Sequence, residues 1–147
     1  IDFDAEFDAA ISMFTSFGYF EDEEENLEVL RRLARALKPG GRVLFDLHSR
    51  DRLMARYLEC DVRDGPNGSL IVECRTFDCL TGINRSRVRV FEKGRQRDYT
   101  VLVRMYAASE FRRALADAGL TVQRLYGDWD ASDFTRESPR MLALARR

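Results

Sequence analysis

Two neighbouring residues of this 147-residue chain have the types and spacing for proton chemistry. Asp46 and His48 lie two positions apart in RVLFDLH, so on a strand their side chains point to one side. Either group could take or orient the proton of an amine or hydroxyl held within hydrogen-bond reach, and His48 is the only histidine. A second cluster, Phe14, Phe17, Tyr19 and Phe20, is aromatic, and aromatic faces attract cations. A third, Asp128, Trp129 and Asp130, could hold a cationic or sugar-like molecule from a loop. Arg85, Arg87 and Arg89 alternate along one segment and could meet a phosphate or carboxylate. Each group also has a plain structural role: a satisfied histidine, core aromatics, a tryptophan that pins its loop, the solvated face of a half-exposed sheet. No aromatic residues interleave with the arginine row, and the net charge of −1 gives no global pull toward nucleic acid, so no nucleic-acid partner is expected.

The elements that must position these groups can be read from pattern. Phe7 to Phe14 is nearly continuously apolar after Asp8, as expected for a strand buried on both faces of a parallel sheet. Asp22 and Glu25 have capping-box spacing, and the acidic run Glu21 to Glu25 suits a helix N-terminus. Leu27, Leu30, Leu33, Ala34 and Leu37 make one apolar stripe, Arg31, Arg32, Arg35 and Lys38 load its last turns, and Pro39-Gly40-Gly41 ends it. Arg42 to His48 reads as a second short buried strand, which makes a strand, crossover helix, strand unit with a parallel pair. Ligands of such sheets bind beyond the carboxyl ends of the strands, here Met13 to Phe20 and Asp46 to Arg50.

A short polar helix is expected over Asp51 to Leu58, then a turn-rich loop at Asp64 to Gly68. Leu70 to Phe77, Asn84 to Glu92 and Arg97 to Tyr106 alternate with period two, which predicts a three-stranded antiparallel meander with Val88, Val90, Tyr99, Val101, Val103 and Met105 on one face. Ser109 caps a helix from Glu110 to Ala118 that ends at Gly119. A strand at Leu120 to Tyr126, a polar loop from Gly127 to Ser138 and a last strand at Arg140 to Ala145 complete the chain.

FDAAISMFTSFGYF, the acidic helix, LKPGGRVLFDL, FRRALADAGL and LTVQRLYGD together resemble the C-terminal half of a class I S-adenosylmethionine-dependent methyltransferase of the small-molecule type. The resemblance covers almost the whole chain. It implies an α/β fold: the C-terminal half of a Rossmann-like sheet with a three-stranded antiparallel insertion. Residues 1 to 59 would be the strand, helix, strand unit with its short helix, 60 to 107 the insertion, and 108 to 147 a helix with an antiparallel terminal strand pair. S-adenosylmethionine is the implied cofactor, contacted by Met13, Phe14, Thr15 and Tyr19, and methyl transfer to a small-molecule acceptor the implied reaction. Phe17, Phe20, Arg50, Asp128 and Trp129 would bind the acceptor, and Asp46 or His48 would take or orient its proton. The insertion would cover the acceptor pocket or form a homodimer contact.

No Gly-x-Gly follows an early strand and the sequence starts at Ile1, so the expectation is a piece that begins just before the family's fourth strand. Two other classes stay open: half of a nicotinamide-dinucleotide oxidoreductase, and a non-catalytic interaction module. A cytoplasmic protein is expected, with no membrane partner and no metal; Cys60, Cys74 and Cys79 lack paired metal spacing and read as reduced thiols. Phe7 to Phe14 would form an open apolar sheet edge, so residues 1 to 147 alone are expected to be poorly soluble, inactive and without measurable cofactor affinity. A soluble monomer with micromolar affinity for S-adenosylhomocysteine would overturn that.

Overall fold

A computed structural model describes residues 1–147. Strand β1 (Phe7–Ser12) leads through the aromatic loop to helix α1 (Glu23–Ala36), which returns the chain to β2 (Leu37–His48), parallel to β1. Asp22 is the N-cap of α1, its carboxylate accepting the Glu24 N–H at 2.9 Å, with Glu23, Glu24 and Glu25 in the first turn. The helix stops at Ala36; Lys38 and the Pro39-Gly40-Gly41 turn lie in the first part of β2, and the pairing with β1 slips register between Phe7 and Ala9.

After α2 (Arg50–Ala55) the chain forms β3 (Cys60–Asp64), β4 (Leu70–Phe77), β5 (Ile83–Glu92) and β6 (Arg95–Arg104), then α3 (Ala108–Asp117), β7 (Thr121–Tyr126) and β8 (Arg140–Arg146). Two four-stranded sheets result: a mixed sheet in the order β1-β2-β8-β7, in which β8 runs antiparallel to both neighbours, and an antiparallel sheet in the order β3-β4-β5-β6. The insertion thus has one strand more than the period-two pattern marks. Ser109 lies inside α3 rather than at its start; Glu110 instead reaches back to the Ala107 N–H at 3.0 Å.

Helices α1 and α3 pack on one face of the mixed sheet. Val43, Phe45 and Leu47 alternate inward from β2, Met141, Ala143 and Ala145 from β8, and they meet Leu30 and Ala34 of α1 and Phe111, Ala114 and Leu115 of α3. Phe17 enters this core from the aromatic loop, 4% exposed, with its ring 5.8 Å from Phe45, 5.5 Å from Tyr106 and 5.6 Å from Phe111. Strand β1, by contrast, is not buried on both faces: it is the edge strand, and Phe7 and Ile11 are exposed. An apolar run marks a strand that expects cover, and here neither β1 face receives a full layer.

Strand β3 pairs with β4 so that Cys60 lies opposite Cys74, and the two form a disulfide with Cα atoms 4.1 Å apart. This corrects the expectation of three reduced thiols; only Cys79 is free, and it is exposed. Arg85 reaches Glu21 at 3.3 Å and Arg89 reaches Asp98 at 3.3 Å, so two members of the arginine row are spent on surface ion pairs.

The insertion is fastened to the rest at two points. Arg104 at the end of β6 pairs with Glu23 of α1 and Glu110 of α3, both at 3.3 Å, and stacks over Tyr106 at 4.5 Å. The main-chain N–H of Arg104 also donates to the Gly18 carbonyl at 2.7 Å. Gly18 has φ +95°, and a Cβ there would sit 2.6 Å from the Arg104 carbonyl oxygen. Gly94 has φ +74° with nothing within 4 Å of a Cβ. Gly94→Ala therefore costs the left-handed strain alone, about 1 kcal/mol, whereas Gly18→Ala adds a backbone clash and should cost about 2–3 kcal/mol. Urea unfolding of the two variants checks this, and equal losses would show that the Gly18 contact yields freely.

Candidate functional site

The site is built on one buried carboxylate. Asp46 near the end of β2 is 0% exposed. Its Oδ2 accepts the Phe14 N–H at 2.8 Å, its main-chain carbonyl accepts the Thr15 N–H at 2.8 Å, and its other oxygen is paired with the Arg140 guanidinium. Burying a charge this completely is tolerable only with such partners. Phe14 and Thr15 both stand at positive φ, 56° and 55°, a conformation that ordinary side chains adopt at a cost and that the Asp46 bonds hold. The turn they make ends β1 and divides the aromatic cluster: Phe14 is 80% exposed, Thr15 and Phe17 are buried, and Tyr19 is exposed again. Asn26 closes the loop from the helix side, its amide accepting from the Phe20 N–H at 3.3 Å and donating to the Phe20 carbonyl at 2.9 Å.

Thr15 Oγ1 accepts the His48 main-chain N–H at 3.0 Å, which sets the end of β2 against the turn and leaves the imidazole ring facing a cavity. The cavity holds about 490 Å³ and lies between the carboxyl ends of β1 and β2 and the inner face of the insertion. Phe14, Thr15, Tyr19 and His48 form one side; Ser49, Arg52, Leu53 and Arg56 of the α2 segment form another; Glu73, Arg75, Asn84, Val103 and Met105 form the roof. Partial burial, followed by the positive charge of Arg140, lowers the His48 pKa below the ordinary histidine value, with Asp46 acting weakly in the other sense. In the roof, burial raises the Glu73 carboxyl, but hydrogen bonds from Arg63, Ser86 and Arg75 outweigh it and hold the group ionised; both arginines sit at 2.8 Å.

Of the residues singled out in the sequence, the structure brings Phe14, Thr15, Tyr19 and His48 to this cavity. Met13 stops short of the wall, its carbonyl accepting the Ser16 N–H at 3.1 Å. Asp46 lies beneath the cavity with both carboxylate oxygens engaged and no exposure, so it does not reach the cavity's contents. Phe17 is a core residue, because the turn rotates it away from Phe14. Phe20 lies instead beside Asp22 and Val29 at the start of α1. Arg50 is paired with Glu110 at 2.8 Å and rests over Phe77 at 5.5 Å. Asp128 and Trp129 belong to a loop that folds on itself through Gly127 N–H to Ser132 carbonyl and the Tyr126–Asp133 bridge, away from the cavity. Arg52, Arg56, Glu73, Arg75 and Asn84 were not marked by the sequence reading; the four-residue step from Arg52 to Arg56 after a serine cap was the available signal.

No protein-family model matches the chain. The curated Bacillus subtilis (strain 168) protein named "Putative methyltransferase YqeM" is 24% identical over 158 residues, covering 99% of this chain and 60% of the relative. The CcbJ methyltransferase of Streptomyces caelestis superposes with a TM-score of 0.85 at 16% identity over 96% of this chain and 57% of its own. CalS10 of Micromonospora echinaspora, an amino pentose methyltransferase solved with S-adenosylmethionine bound, gives 0.69 at 22% identity over 100% of this chain and 61% of its own. The fold is that of a class I S-adenosylmethionine-dependent methyltransferase. The chain spans about 60% of the length of the curated relative it matches. No helix is long and apolar enough to cross a membrane.

Because the turn that presents Phe14 and supports His48 hangs on Asp46, removing that charge should cost stability. Asp46→Asn takes the counter-charge from the partly buried Arg140 guanidinium and is expected to lower unfolding free energy by about 2–3 kcal/mol. Denaturant titration followed by circular dichroism measures this, and a loss under about 1 kcal/mol would show that the turn does not depend on the ion pair.

Proposed function

We propose that the full-length protein transfers a methyl group from S-adenosylmethionine to a small-molecule acceptor seated in the cavity under the insertion. The observation that carries this reading is the convergence of Phe14, Tyr19 and His48 at the carboxyl ends of β1 and β2 on one cavity of about 490 Å³, a size that suits a small molecule. The names of the similar proteins, a methyltransferase and an amino pentose methyltransferase, support it.

The residues present fit one side of such a cofactor. The exposed ring of Phe14 and the ring of Tyr19 offer the aromatic faces that a cation prefers, and the turn holding Phe14 is fixed by Asp46. None of the glycines forms a Gly-x-Gly, so this chain's own residues supply a side wall rather than a cradle. When bound, S-adenosylmethionine supplies a methyl group already activated on a sulfonium. The protein's task is then alignment, which can lower the barrier by several kcal/mol without strong acid or base chemistry. Thr15 and Asp46 contribute by fixing the ends of two strands against each other. His48 contributes a ring nitrogen that can accept the proton released from an acceptor N–H or O–H, and its lowered pKa keeps it neutral at pH 7.

Calorimetric titration of the full-length protein with S-adenosylhomocysteine tests the reading; no binding, with a nicotinamide cofactor bound in its place, overturns it. The role of His48 has its own signature. Protonation abolishes a base, and the folded-state pKa lies below 6.5, so kcat/KM should fall with pH along a limb centred below that value. His48→Gln should remove the limb and lower kcat about 100-fold. An unchanged profile would leave His48 as a wall residue.

A further inference from the structure

Charge in the cavity wall is unbalanced. Glu73 is the only carboxylate there, and it is shared between Arg63 and Arg75 at 2.8 Å each. Arg52 and Arg56 are different. Arg52 donates to the main-chain carbonyl of Glu137 at 3.0 Å and to no carboxylate, and Arg56 is exposed with no ion pair. Arg52 lies in α2 and Arg56 is the residue that ends it, and both line the cavity. The Ser49 cap, buried beneath them, begins α2 directly after His48 and so fixes that helix relative to the proposed base. A cavity lined by two arginines that pair with no carboxylate, beside neutral Asn84, Val103 and Met105, favours negative charge, and guanidinium forks match carboxylate and phosphate oxygens.

We infer that the acceptor carries an anionic group, a carboxylate or phosphate, held by Arg52 and Arg56 while another part of the same molecule reaches His48. This rests on the reading of the cavity as the acceptor site. Arg52 and Arg56 would be binding residues, and the acceptor would be an anion with a nucleophilic nitrogen or oxygen some distance from its charge.

The test needs no methyl donor, so it fails or succeeds separately from the methyltransferase reading. The full-length protein is titrated calorimetrically with inorganic pyrophosphate and, separately, with succinate, at constant ionic strength set by chloride. One or both should bind at a single site, and the stronger probe tells phosphate from carboxylate. Arg52→Gln and Arg56→Gln should each weaken that binding about tenfold or more, Arg56→Lys should weaken it less, and Arg87→Gln, on the opposite face of the insertion, should leave it unchanged. Arg56 is exposed, so its variants are expected to fold, which matching thermal midpoints would verify. Absence of binding by both probes, or binding that both glutamine variants retain in full, overturns the inference.

Discussion

The fully buried carboxylate of Asp46 is the constraint from which the site follows. A charge without solvent must be compensated locally, and here compensation comes from two directions, a main-chain N–H of the β1 turn and the guanidinium of Arg140 on β8, while the Asp46 main-chain carbonyl accepts a second N–H of the same turn. Those bonds fix two consecutive non-glycine residues in left-handed backbone. One of them throws Phe14 outward, and the other supplies the hydroxyl that receives the His48 N–H. Strand end, turn and histidine therefore form one unit.

A second unit is the network of Glu23, Arg104, Glu110 and Arg50, which links α1, β6, α3 and α2 around the stacked Tyr106 ring. Exposed ion pairs of this kind each contribute little, but several sharing one arginine restrict how the insertion tilts. Together with the Gly18 carbonyl they hold the roof of the cavity over its floor. The exposed Arg85–Glu21 pair adds a further, weak link of the same kind, whereas Arg89–Asp98 lies wholly within the insertion.

Much of the fold was legible because its elements carry strong periodicity: the leucine stripe of α1, the alternation of β4, β5 and β6, and the apolar run of β8. Strand β3 was hidden because CDVRD has only one large apolar residue; it pairs through a disulfide and through Asp61, Arg63 and Glu73, interactions with no local pattern. The apolar run of β1 suggested burial, yet burial depends on what covers a strand, which lies outside the strand's own sequence. Within the site, residue type could not separate Phe14 from Phe17. Their difference is a backbone turn imposed by an aspartate 32 residues away. Arg52 and Arg56 went unmarked since a short polar helix reads as solvated until its neighbours are known.

The two-sheet construction has a consequence for how such a protein changes over time. Floor and roof of the cavity are encoded in separate stretches of chain, and the backbone clasp between them runs through a carbonyl, which is indifferent to side-chain identity at either end except at Gly18 itself. Substitutions in β4, β5 and β6 can reshape the roof while the Asp46 unit stays intact. On the proposed function, acceptor preference can therefore drift independently of the strand ends beneath it, and swapping the antiparallel segment between relatives is a natural route to new specificity.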